Sequence, residues 1–199
     1  MSCSCGCNRR CYSEQEKNEL LEKIIAIEAE MFVKVNEGQS DKVECQKQLK
    51  TFHAMRYMSF AVLSGETLQA YWEDLQFALQ DERNLVMEKY ARMDDLIPVI
   101  NESGMIDDIV AVEVEWMTDL HARYPLSINM SPAFARYARC ELETYSDQTL
   151  ELYLRDVLEA KKMNINLVEE RYKILYRGMG FKSLEEVEAK AAAQKRATD

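Results

Sequence analysis

Aliphatic and aromatic side chains recur at three- and four-residue spacings along almost the whole chain, the signature of amphipathic helices. In the first such segment Leu20, Leu21, Ile24, Ile27, Met31 and Val35 fall on one face. Ser13 followed by Glu16 forms a capping box that opens this helix, and Asn36 to Ser40 closes it. The same reading predicts helices over about Asp41–Leu63, Glu66–Gln80, Leu85–Ile97 and Asp107–Arg123. A sixth starts at Ser131-Pro132, a seventh is capped by Ser146, and an eighth runs from Asn166 to Gly178. Ser183 with Glu186 is a second capping box and opens a final helix.

The pattern is written twice. Thr67, Leu68, Tyr71, Asp74, Ala78, Asn84, Leu85, Val86, Glu88 and Tyr90 recur 82 positions later. The counterparts are Thr149, Leu150, Tyr153, Asp156, Ala160, Asn166, Leu167, Val168, Glu170 and Tyr172. Upstream, Ile24–Met31 aligns with Ile109–Trp116 at an offset of 85. Two unrelated amphipathic helices could share aliphatic positions, but not the Asp, Asn, Glu and Tyr in the same order. The expected fold is all-α: a compact bundle of two tandem four-helix repeats related by a pseudo-two-fold axis, plus a C-terminal helix. Residues 1–12 form a Cys-rich tail and 13–199 one helical domain. Within it, repeat one covers about 14–100, repeat two about 105–180 and the terminal helix about 183–195.

Within these stripes a few polar residues stand out. Glu28 lies between Ile24 and Met31 on an apolar face, and Glu113 lies likewise among Ile109, Val112 and Trp116. A buried carboxylate is costly unless it is paired or hydrogen-bonded. On the second helix Arg56 falls within the apolar face and His53 at its edge, so a buried Glu28–Arg56 pair is the plain structural expectation. The position matching Arg56 in the second repeat is Ala138, which leaves Glu113 to find Arg136, Arg139, His121 or a shared Arg56. Asn84 and Asn166 sit at helix starts as caps, and Asp74 and Asp156 are placed to hold a turn or an arginine.

Several strings resemble a bacterial helical family catalogued as domain-of-unknown-function family 4125. They are Glu28-Ala29-Glu30-Met31-Phe32, Asn84 to Met93, Glu141 to Leu150, and Gly180-Phe181-Lys182-Ser183-Leu184-Glu185-Glu186. The likeness runs from about residue 20 to 190. It implies an all-α bacterial domain and brings no catalytic residues with it.

Charge and cysteine content narrow the function classes. Lys plus Arg number 25 against 35 Asp plus Glu, a net charge of −10 that argues against nucleic-acid partners. No apolar run approaches the roughly 18 residues that span a bilayer, and no export signal precedes the helices. The expected location is the cytoplasm, where thiols are normally reduced. Cys3, Cys5, Cys7 and Cys11 have C-x-C-x-C-x3-C spacing, and four thiolates suit zinc, copper or an iron–sulfur cluster.

Two functional readings follow. In the first, the protein binds a small molecule or metal ion in a central pocket lined by Glu28, Glu113, Arg56 and His53, with the tail cysteines as a metal or redox site. The alternative is a non-enzymatic adaptor module that meets a protein partner, with the Glu–Arg pair purely structural. No reaction is legible.

Overall fold

The computed structural model describes residues 11–35 and 42–198, with the backbone alone at 42–48 and 198. Those residues form α1 (Glu14–Val35), α2 (Lys42–Ala61), α3 (Gly65–Gln80), α4 (Leu85–Met93), α5 (Gly104–Arg123), α6 (Phe134–Leu142), α7 (Asp147–Lys162), α8 (Leu167–Gly178) and α9 (Leu184–Thr198). No strand occurs among them, and none of these helices is long and apolar enough to cross a membrane.

The helices start where the capping residues stand. Ser13 donates through its N–H and Oγ to the Glu16 carboxylate at 2.8 and 2.9 Å. The Thr67 and Thr149 N–H groups donate to Ser64 and Ser146 Oγ, both at 3.2 Å. Asn84 and Asn166 each accept the N–H three residues on, both at 2.9 Å, and each also uses its side-chain amide. Those amides donate to the carbonyls of Met31 and Trp116 and tie α4 to α1 and α8 to α5.

Four helix ends close alike. Glu82, Asp95, Asn164 and Gly180 take positive φ, and the next residue's N–H returns to the carbonyl five positions back: Arg83 to Ala78, Leu96 to Ala91, Ile165 to Ala160, Phe181 to Tyr176. This stop ends α4 at Met93, earlier than periodicity suggested; Pro98 also disfavours helical geometry at Ile97. Ser131-Pro132 opens a turn rather than the helix, since Phe134 N–H donates back to the Ser131 carbonyl and α6 starts only there.

α1 packs on α2, α3 and α4, and α5 on α6, α7 and α8; α4 meets α6, α2 meets α8, and α3 lies on α7. Exchanging α1–α4 for α5–α8 returns the same set of pairings. Both halves feed one core, with Ile24, Leu68 and Leu75 buried beside Ile109, Leu120, Leu150 and Val157. Across that core the halves cap each other. Asp156 accepts the N–H of Ser64 at 2.8 Å and the hydroxyl of Thr67 at 2.6 Å, while Asp74 accepts the N–H of Ser146 at 3.0 Å. The two aspartates do hold turns, but each holds the opposite half's turn. Glu188 on α9 accepts the N–H groups of Leu126 and Ser127, which fastens the last helix over the α5–α6 connection.

Candidate functional site

On α1 the apolar stripe that buries Ile24 also carries Glu28 inward, leaving it 2% exposed. Arg56 on α2 meets it as a fork: Nε and NH2 donate to the two carboxylate oxygens, each at 2.7 Å. Tyr71 on α3 adds its hydroxyl to Glu28 Oε1 at 2.8 Å. The guanidinium lies over the Phe60 ring, 4.5 Å from its centroid, and its NH1 donates to Glu141 on α6 at 2.8 Å. Glu141 further receives the Tyr145 hydroxyl at 3.2 Å and Lys89 Nζ at 3.4 Å, and Lys89 reaches the Tyr137 hydroxyl at 2.9 Å. Burial opposes the charge on Glu141, but Arg56 and Lys89 overcome it and pull its pKa down to about 2. Burial likewise holds the hydroxyls of Tyr71, Tyr145 and Tyr153 protonated, well above the ordinary phenol range. Both oxygens of Glu28 and both of Glu141 are therefore satisfied.

The second carboxylate is held differently. Glu113 on α5 is 4% exposed. Its Oε1 accepts both the Tyr153 hydroxyl of α7 at 2.7 Å and Arg171 NH2 of α8 at 2.6 Å. The same NH2 stands 2.6 Å from the Tyr153 oxygen. Burial opposes the Arg171 charge, and Glu113 outweighs it, so Arg171 stays protonated. Yet the contact is one-pronged. Glu113 Oε2 accepts no hydrogen bond from the protein, and Arg171 Nε is buried without an acceptor.

Beside this half-open pair lies a cavity of ≈ 430 Å³. Its polar lining comes from Arg56, Glu113, Tyr137, Glu141, Tyr145 and Arg171, and its apolar wall from Met55, Met58, Phe60, Phe134, Leu142 and Val168. Ala138, the residue at the place of Arg56 in the 82-position alignment, also lines it. Where α2 sends a guanidinium onto Glu28, α6 carries only a methyl group at the matching position. Space remains.

Of the four residues expected around a central pocket, Arg56 and Glu113 line this cavity. Glu28 sits behind Arg56, consumed in the fork. His53 lies outside: its side chain is 50% exposed and stands 3.2 Å from Glu22 on the surface. The edge of a helical stripe faces solvent as readily as core, which is why its position misled. The partner of Glu113 is Arg171, not the expected candidates. Arg136 pairs with Asp95 and Arg139 with Asp107, His121 Nδ1 lies 2.6 Å from the Ile128 carbonyl, and Arg56 is committed to Glu28 and Glu141. A signal for Arg171 did exist. It matches Lys89 at the 82-position offset, a conserved charge that a count of identities passes over.

No metal centre takes shape among the described residues: no three His, Cys, Asp or Glu side chains lie close enough together to hold an ion. Cys3, Cys5 and Cys7 lie outside the described residues, as does the side chain of Cys45. Cys11 is disulfide-bonded. Cys140 is free and buried.

This chain belongs to DUF4125, a family of proteins of unknown function, whose model matches residues 18–189. No curated protein and no solved structure matches it.

Proposed function

We propose that this protein binds a small organic molecule in the cavity beside Glu113. The observation that carries the reading is the carboxylate oxygen Glu113 Oε2, which no protein group donates to, on a residue that lines the cavity. An ionised carboxylate oxygen that no protein donor covers is open to a donor carried by a ligand. The surroundings suit a ligand: cavities that hold small molecules are mostly apolar, with a few convergent polar groups, and measure roughly 300–1,000 Å³. Glu28 takes the structural part of the notion that inward carboxylates mark the site, and Glu113 takes the functional part. The reading is of binding, with no chemical step attached.

The test uses 2-naphthamide, a flat apolar body with one polar head, in equilibrium dialysis against the full-length protein. At about 0.3 kcal/mol for each of its non-hydrogen atoms, a dissociation constant on the order of a millimolar or tighter is expected. Ala138→Trp fills the cavity from α6 without removing a polar contact, and it should weaken binding at least tenfold while the helical circular dichroism is kept. Equal binding by both proteins, or none by either, contradicts the cavity reading and favours the adaptor alternative.

A further inference from the structure

We infer that the head group received by Glu113 is a cationic nitrogen donor, an amidinium, guanidinium or ammonium, on an aromatic or aliphatic body. The inference rests on the cavity being a ligand site, and it names what that ligand must carry. The protein supplies its own template. In the first half the carboxylate of Glu28 accepts the Tyr71 hydroxyl at 2.8 Å and a guanidinium that donates two 2.7 Å hydrogen bonds and lies over an aromatic ring. In the second half the carboxylate and the tyrosine are repeated as Glu113 and Tyr153, 2.7 Å apart. The two-pronged contact is not repeated: Ala138 stands where Arg56 would be, and Arg171 reaches Glu113 from α8 through NH2 alone. The cavity adjoins both Glu113 and Ala138.

Three features favour a cation over an anion there. A carboxylate oxygen takes only donors, and Arg171 covers Oε1 alone. The neighbouring Arg56 has Nε, NH1 and NH2 all bonded to carboxylates, so it has little to offer an incoming anion, which would also face Glu141. The rings of Tyr137, Tyr145, Tyr172 and Phe134 border the space, and aromatic faces attract a desolvated cation. Arg171, whose Nε is buried without an acceptor, holds Glu113 by a single prong and leaves the second oxygen to the ligand.

The experiment compares three near-isosteric probes, 2-naphthamidine, 2-naphthamide and 2-naphthoate, by isothermal titration calorimetry with the full-length protein at pH 7. The amidine should bind about tenfold to a hundredfold more tightly than the naphthoate, the range one charged hydrogen bond supplies, with the amide between them. Glu113→Gln should erase the preference for the amidine. Because that change strips Arg171 of its partner and can unfold the protein, Ala138→Arg is the second variant. It sets a guanidinium on Glu113 as Arg56 is set on Glu28, and amidine binding should fall at least tenfold with folding retained. Naphthoate binding as tightly as the amidine, or amidine binding unaffected by Ala138→Arg, overturns the cation assignment while the cavity reading stands. Failure of all three probes to bind overturns both.

Discussion

Arg56 ties α2 to Glu28 on α1 and Glu141 on α6, and Arg56→Met tests what that junction contributes. The wild-type guanidinium makes three charge-assisted bonds of 2.7 to 2.8 Å, two to Glu28 and one to Glu141. Methionine has similar length and lies comfortably against Phe60, so little packing is lost. Electrostatics decide the outcome. Glu28, 2% exposed, keeps only the Tyr71 hydroxyl, whereas Glu141 retains Lys89 and Tyr145. Breaking one side of a buried ion pair costs about 3–5 kcal/mol, a large part of the roughly 5–15 kcal/mol that holds a domain together. For a chain of this length each kcal/mol moves the melting temperature by roughly 2–4 °C, so Arg56→Met should melt about 6–20 °C below wild type in calorimetry. Adding Glu28→Leu removes the stranded carboxylate. Apolar replacement of a buried pair is often neutral or better, so the double variant should recover at least half of the loss. A single variant within about 3 °C of wild type, or a double variant no more stable than the single, refutes the claim that Glu28 is held by Arg56.

Acid unfolding should report Glu141. Its folded pKa of about 2 lies below its ordinary value of 4.5. Its contribution, roughly 3 kcal/mol, is therefore complete above pH ~4.5 and lost as the pH falls towards ~2. Glu141→Gln should thus be less stable than wild type in urea titrations at pH 7, with the gap reduced to about half or less by pH 3; a gap constant with pH contradicts the assignment. Gly65 opens α3 against the ring of Tyr12, and a Cβ at position 65 would stand 2.3 Å from Tyr12 Cγ. Gly65→Ala should therefore cost about 1–3 kcal/mol by thermal melting. In a Tyr12→Ala background the same change should be neutral or mildly stabilising, since alanine suits a helix better than glycine.

Much of the architecture is legible in the chain because its helix boundaries are local chemistry. Ser13 with Glu16, Ser146, Asn84 and Asn166 act over three residues, and each is found capping as spacing predicts. The Glu28–Arg56 contact is legible for a similar reason: two charged residues lie on the apolar faces of consecutive helices. What escapes the sequence is long-range. Nothing local says that Asp156 caps Ser64 and Asp74 caps Ser146, since those contacts cross from one half to the other. Arg171 escapes because it sits on a short helix whose charge reads as solvated, and its counterpart is a lysine that turns to Glu141 instead. The cavity itself is a negative feature. Ala138 lines it, and a small residue on a helix face gives no signal until its neighbours are known.

The central claim is that a ligand enters beside Glu113, and the methionine methyl groups test it most directly. Met58 and Met93 line the cavity, and Met55 lines it from an exposed position, whereas Met87, Met163 and Met179 lie exposed on the surface outside its lining. In a methyl-labelled protein titrated with 2-naphthamide, the resonances of Met55, Met58 and Met93 should shift together and saturate, while those of Met87, Met163 and Met179 stay in place. Shifts confined to the exposed set, or no saturable shift at Met55, Met58 and Met93, would contradict it.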